Sequence, residues 1–309
     1  RPVVRRASHG LCCDARFAFF RRSDFFLHGN SLGFCFFNNV AIAAKYALHT
    51  KRAQRVFVLD WDIHHGNGIQ NLTYNDPNVF YFSIHRGHGK TEDEWFYPGT
   101  GFIGEVGEGD GTGTNTNVVW KRGGMSNTEY AAAFTEMVLP LVRSYKPDLI
   151  IVACGLDAAK GDLLGDCGLS PDMYYTMTES LLQVAGASIP IVVALEGGYN
   201  LNVSAQCIEQ VALALLDEPF DDRAQKDDHE VPSDTMVWTN RSILPQRISP
   251  KWAAKHNEGE GLAQYWNHQS LWAELSRRTK KTTRAAVVSM RKAIRALEKV
   301  GINIHDLHT

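Results

Sequence analysis

The sequence lacks any apolar run long enough to span a bilayer, which needs about 20 consecutive residues. It has no signal-peptide pattern at its start. Arg1-Pro2-Val3-Val4-Arg5-Arg6 is followed by no apolar h-region, and no initiator Met is present. Cysteine is scarce. Cys12, Cys13, Cys35, Cys154, Cys167 and Cys207 form no Cys-x-x-Cys pair and show no regular spacing. That argues against a structural zinc knuckle and against a secreted disulfide scaffold, and it fits a reducing compartment. There are no internal repeats. Hydrophobic residues at 44% and charged residues at 21% of 309 exclude a disordered or collagen-like chain, and the length allows one large domain or two modest ones.

Net charge is also nearly lacking, at −2, but it is unevenly distributed. Residues 1–30 carry six Arg and two Asp, a balance of +4. Residues 31–250 carry 15 basic and 27 acidic groups, a balance of −12. Residues 251–309 carry 11 basic and five acidic groups, a balance of +6. An acidic body favours cationic ligands. The basic tail has no interleaved aromatics, so sequence-specific nucleic-acid binding is not expected of it.

What is there alternates. Apolar runs at Val56–Asp60, Val79–Ile84, Leu149–Cys154 and Ile189–Leu195 read as buried strands, and Asn117–Trp120 resembles a further one. Helix-compatible stretches lie at Asn38–His49, Thr128–Tyr145, Pro171–Ala187 and Asn202–Leu216. Ser170 is a candidate N-cap and Pro171 suits the first helical position. Strands alternating with helices predict an α/β fold in three layers, an open parallel sheet with helices on both faces. The Gly- and acid-rich segment Gly104–Gly113 is followed by strand-like residues and no Lys-Ser/Thr, so it is not a nucleotide loop. Pro219–Asp234 reads as an acidic linker. Beyond it Leu262–Leu275 and Ala285–Val300 look helical, and the stripe Ala286, Ala293, Ile294, Leu297, Val300 is of the kind that packs on a parent domain.

Ligands of open parallel sheets bind beyond the carboxyl ends of the strands. The runs end there in Asp60-Trp61-Asp62-Ile63-His64-His65-Gly66-Asn67-Gly68, Ser83-Ile84-His85-Arg86, Gly155-Leu156-Asp157-Ala158-Ala159 and Glu196-Gly197-Gly198-Tyr199. Asp62-x-His64 sets a carboxylate and an imidazole on one side of an extended chain. Asp157 could complete a mixed oxygen/nitrogen set that leaves a fourth position open, as a catalytic zinc requires. Read singly, Asp62 is equally a strand-end cap and Asp157 a turn residue. Read together at successive strand ends, they point to a metal site. His85 is a weaker competitor, and its neighbour Arg86 suggests a solvated or structural role.

These motifs resemble the zinc-dependent histone deacetylase family of the arginase/deacetylase superfamily, in its class II branch. The resemblance runs from Gly33-Phe34-Cys35-Phe36-Phe37-Asn38-Asn39 through Tyr97-Pro98-Gly99-Thr100-Gly101, Gly155–Asp162 and Leu195–Asn200 to about Asp217-Glu218-Pro219. It implies hydrolysis of the acetyl amide of N6-acetyl-lysine, with Asp62, His64 and Asp157 as zinc ligands and Tyr199 as the catalytic phenol that stabilises the oxyanion. It also implies a structural potassium ion on the side chains of Asp60 and Ser83. Phe34 and Tyr97 would line the substrate channel, the carbonyl of Gly33 would accept the substrate amide, and Leu164 would gate substrate choice. Leu there suits acetyl-lysine in a peptide, where acidic residues mark polyamine deacetylases.

The resemblance further implies an acetylated protein partner, histone tails above all, a corepressor-type complex, no membrane association, and residence in nucleus, cytoplasm or both. One departure stands out. The family's adjacent histidines in Pro-Gly-His-His-Ala have no counterpart before Gly33, where His9 and His28 are isolated. Residues 1–30 are therefore expected to be an unmatched or anomalous start, 31–220 the catalytic domain, 221–234 a linker and 235–309 a basic, largely helical extension. Two alternatives stay open, the first of them because of the missing pair. One is a catalytically weak scaffold that binds acetyl-lysine, and the other is an acetylpolyamine amidohydrolase.

Overall fold

The computed structural model describes residues 37–87, 95–216 and 281–304. Five strands form one parallel sheet: β1 (Val56–Asp60), β2 (Val79–Arg86), β3 (Asn115–Trp120), β4 (Leu149–Cys154) and β5 (Ile191–Leu195). Their order is β3-β2-β1-β4-β5. The chain thus winds outward in one direction from β1 and then returns to the other side of β1 with β4. The place where the winding reverses is the gap between the ends of β1 and β4, where such sheets bind ligands.

Two-residue periodicity sorts the strand side chains onto two faces. Phe57, Leu59, Phe80, Phe82, Ile150 and Val152 point into the larger core. Val56, Val58, Val79, Tyr81, Ile151 and Ala153 point into the smaller one. The smaller core is covered by α1 (Asn39–His49), together with α2 (Asn67–Thr73). Asn38 caps α1, its side-chain oxygen accepting from the N–H of Ala41 at 2.9 Å.

The larger core is covered by α3 (Asn127–Ala133), α4 (Leu139–Tyr145), α5 (Pro171–Ala185) and α6 (Leu201–Leu215). The predicted single helix 128–145 contains a π turn at Phe134–Val138. Pro140, just beyond it, has no N–H to donate, and the wider turn accommodates that gap. Ser170 does occupy the cap position of α5, but its hydroxyl does not cap. It accepts from the Asn127 side chain at 2.9 Å, while its own N–H donates to Asn127 at 3.0 Å.

A seventh helix, α7 (Lys281–Glu298), lies against β3 and α3. Ala286, Met290, Ala293, Ile294 and Leu297 are buried in the larger core, and the Ser289 hydroxyl donates to the carbonyl of Val119. The apolar stripe expected near the C-terminus therefore packs inward, and Arg284, Arg291, Lys292, Arg295 and Lys299 face outward. Among the described residues no helix is long and apolar enough to cross a membrane. The segments 1–30, 221–234 and Leu262–Leu275 lie outside the described residues.

Candidate metal centre

The chain bends just after β1 and turns just after β4, so Asp62, His64 and Asp157 follow closely from the two strands that flank the winding reversal. All three are buried, and one ligand atom from each lies within 4.8 Å of the others. Each carboxylate is held by one set of backbone donors. Asp157 Oδ1 accepts from the N–H of Ile63 at 2.9 Å, and Asp62 Oδ1 accepts from the N–H of His64 at 2.8 Å. The other oxygen faces inward. Asp157 Oδ2 is 2.9 Å from His64 Nδ1, and Asp62 Oδ2 accepts from the N–H of Gly197 at 3.1 Å.

Burial by itself would push the His64 imidazole down. The hydrogen bonds and charges of Asp157 and Asp62 outweigh it and raise its pKa to about 10. Two buried carboxylates around one imidazole form an anionic cage that attracts a proton or a metal cation.

Tyr199 closes the site. A methyl group placed on Gly197 would sit 2.8 Å from Asp157 Oδ2, 2.9 Å from Asp62 Oδ2 and 3.2 Å from the Tyr199 hydroxyl. The three oxygens therefore surround one point, which stays open because residue 197 has no side chain. Gly155 makes a second close approach, since a Cβ there would meet Asp62 Oδ2 at 2.2 Å. The residues fit a small cation: two carboxylates and an imidazole, buried, around a space that only glycine leaves free.

The remaining expected residues fall as follows. The Tyr97 ring meets His64 edge-on at 6.3 Å and is 49% exposed, as a channel rim would be. Leu164 is 46% exposed on the loop after β4. Gly33 and Phe34 lie outside the described residues. Asp60 and Ser83 are register partners on β1 and β2. Asp60 accepts from Tyr81 at 2.8 Å, and the Ser83 hydroxyl lies 2.8 Å from His85 Nδ1.

His85 is not among the clustered ligands. Its ring lies between Ser83 and the Gly101 carbonyl, 3.0 Å away. The solvated reading of this pair is wrong, since His85 and Arg86 are both buried; the structural reading holds. Three contacts escaped the sequence reading. Phe96 stacks on His64 at 4.9 Å, Arg86 stands behind Phe96, and Asp162 accepts from the N–H of Tyr199 at 2.7 Å. Phe96 is the middle of three consecutive aromatics, and nothing in that run says which ring turns inward.

A buried Asp-His-Asp set with a phenol, at the reversal point of a parallel α/β sheet, defines a candidate hydrolytic metal centre. The profile of the histone deacetylase domain matches residues 27–215, and this chain belongs to that family. Relatives include histone deacetylase HDA1 of Saccharomyces cerevisiae, 45% identical over 194 residues that cover 62% of this chain and 27% of the relative. Histone deacetylase 7 of Homo sapiens is 40% identical over 222 residues, covering 70% of this chain and 23% of that protein. The crystal structure of the HDA15 HD domain superposes with a TM-score of 0.59 at 39% identity, covering 66% of this chain and 53% of that one. The structure of the histone deacetylase Clr3 gives 0.56 at 42% identity, covering 60% and 31%. The chain thus spans about a quarter of the length of the curated relatives it matches.

Proposed function

We propose that this chain forms the core of a zinc-dependent amidohydrolase that converts N6-acetyl-lysine in proteins, histone tails among them, to lysine and acetate. The observation that carries the reading is the convergence of Asp62, Asp157 and Tyr199 oxygens on the open point at Gly197, beside His64. Asp62, His64 and Asp157 would hold the metal. Zinc held by such a set supplies a Lewis acid and an acidified water.

The chain's own residues do the rest. The Tyr199 hydroxyl donates to the carbonyl oxygen as negative charge develops there, and Asp162 fixes the backbone from which that phenol projects. Tyr97 flanks the acyl-lysine stem; by the same reading Phe34 would be the second channel wall and the Gly33 carbonyl would accept the substrate amide. Leu164 favours a peptide over an acidic-site polyamine substrate. A structural potassium ion on Asp60 and Ser83 belongs to the same reading, supported by their side-by-side register. The acidic body draws in Lys-rich tails in nucleus or cytoplasm, within a corepressor-type complex. Residues 31–220 form the catalytic unit, preceded by 1–30 as a separate start, with 221–234 a linker and 235–309 a basic extension.

The test is acetate release from an acetyl-lysine peptide by the zinc-loaded chain. Tyr199→Phe is expected to lower turnover by about 10²–10³ while leaving zinc content unchanged. Full turnover in that variant would contradict the role of Tyr199. A second reading, zinc-dependent peptide binding without turnover, is favoured by one feature. Both ring nitrogens of His65 are engaged, by Thr100 at 2.8 Å and Gln70 at 3.1 Å, so His65 does not stand in for a proton-shuttling pair. Peptide binding with no acetate release would select that reading. Preference for acetylspermidine would select the polyamine alternative.

A further inference from the structure

Arg86 ends β2 with 3% of its surface exposed. A buried guanidinium is tolerated only where fixed partners replace water. Its backbone N–H donates to the carbonyl of Ile63 at 2.8 Å, one residue before His64. Its Nη1 donates to the carbonyl of Gly165 at 3.2 Å, with Asp166 Oδ2 at 3.5 Å. The guanidinium carbon lies 4.6 Å from the centre of the Phe96 ring, inside cation–π range. Phe96 in turn stacks on His64 with an interplanar angle of 17°. Guanidinium, phenyl and imidazole make one column that ends in the metal-ligand set.

The same guanidinium reaches the loop that carries the exposed leucines. Leu163 is 74% and Leu164 46% exposed. Asp162 grips the start of this loop. Its Oδ1 accepts from the N–H of Leu164 at 2.8 Å and of Gly165 at 3.1 Å, while Oδ2 accepts from Tyr199. Arg86 grips the far end through the Gly165 carbonyl. Two apolar side chains thus stand in solvent on a loop fixed at both ends, one tied to the backbone of Tyr199 and the other to the column behind His64.

We propose that Arg86 is a positioning residue with two outputs: through Phe96 it sets the plane of the His64 imidazole for the metal, and through Gly165 it sets the Leu163–Leu164 lip for an acetylated peptide. The first output follows from torsional physics. The second side-chain torsion of histidine is broad and two-fold, so the ring plane is set by its neighbours, the carboxylates at Nδ1 and the Phe96 face packed on the ring. The second follows from preorganisation, since a lip already ordered in the free protein costs less to order on binding. Only a planar guanidinium can stack on a ring and donate in its own plane to a carbonyl, so lysine is not equivalent. This inference rests on the metal-assisted reading of the site given above.

The experiment uses the full chain with Arg86→Met, Arg86→Lys and Phe96→Leu. Zinc affinity is read by competition with a chromophoric chelator, ligand geometry by the visible spectrum of the cobalt(II) form, and acetylated-peptide binding by fluorescence anisotropy. Far-UV circular dichroism checks folding. Arg86→Met and Phe96→Leu are each expected to weaken zinc binding by about tenfold or more and to shift the cobalt bands. Arg86→Met alone is expected also to weaken peptide binding, by about tenfold, because Phe96→Leu leaves the Gly165 bond in place. Arg86→Lys should recover part of the zinc affinity and little of the peptide binding. Should Arg86→Met fail to fold, the contrast between Arg86→Lys and Phe96→Leu still decides. A folded Arg86→Met, or Phe96→Leu, with the parent's zinc affinity and cobalt spectrum would overturn the inference and leave the zinc reading standing. A parent chain that binds neither zinc nor cobalt would overturn both.

Discussion

Two regions of one sheet bury their residues for different ends. At the β1/β4 reversal the buried groups are charged and face one another across a space kept open by Gly197. Where α7 packs on the β3 edge the buried groups are mainly apolar: Ala286, Met290, Ala293 and Leu297 cover Val118 and Trp120, with Ser289 bonded to the Val119 carbonyl. Burial at the first region works against stability, because desolvated carboxylates repel each other and want a cation. Burial at the second works for stability, at about 25 cal/mol for each Å² of apolar surface removed from water. The contrast teaches that exposure alone does not distinguish a site from a core; the chemistry of what is buried does.

Substitutions should therefore separate metal binding from folding. The largest effect is expected at Gly197→Ala, whose methyl would occupy the point between Asp157, Asp62 and Tyr199. Zinc affinity should fall below detection by chelator competition while the far-UV spectrum stays that of the parent. If instead the affinity is kept, the open point is not the metal position. Next comes Leu297→Ala at the α7 seam, expected to cost about 2–5 kcal/mol of unfolding free energy with the zinc affinity of the folded protein unchanged. A loss of zinc affinity there would erase the distinction between the two regions.

A smaller effect should appear with pH in chelated, metal-free protein. His64 is raised from 6.5 to about 10, so its protonated form stabilises the fold fully below pH 6.5. That contribution declines as pH rises toward about 10. Metal-free protein should thus unfold more easily at alkaline pH in urea titrations, and His64→Ala should remove that dependence. The smallest effect is expected at a partly exposed ion pair. The Lys45–Asp76 pair spans 2.6 Å, with Lys45 43% exposed, and it holds Asp76 below its ordinary value against the opposing effect of burial. Lys45→Ala should cost under about 1 kcal/mol, lost as pH falls through the carboxylate range.

The sheet was legible because fully buried parallel strands are apolar throughout. Val56–Asp60 and Leu149–Cys154 have the same bounds in sequence and structure. β2 runs two residues past its apolar part because His85 and Arg86 are buried with partners supplied by distant segments, Gly101 and Gly165, that no local pattern announces. The clustering of Asp62, His64 and Asp157 was legible because all three follow closely after strand ends. The roles of Phe96, Arg86 and Asp162 were not, since each acts through a contact between segments distant in sequence that no periodicity announces. The π turn was hidden because the residues 128–145 keep helical patterning around Pro140.

The most direct test of the account is the zinc content of the purified, zinc-equilibrated chain by plasma mass spectrometry, beside that of its His64→Ala variant. A single tightly held zinc in the parent and none in the variant is the expected result. No zinc in the parent, or equal zinc in both, would contradict the assignment of Asp62, His64 and Asp157 as the metal centre.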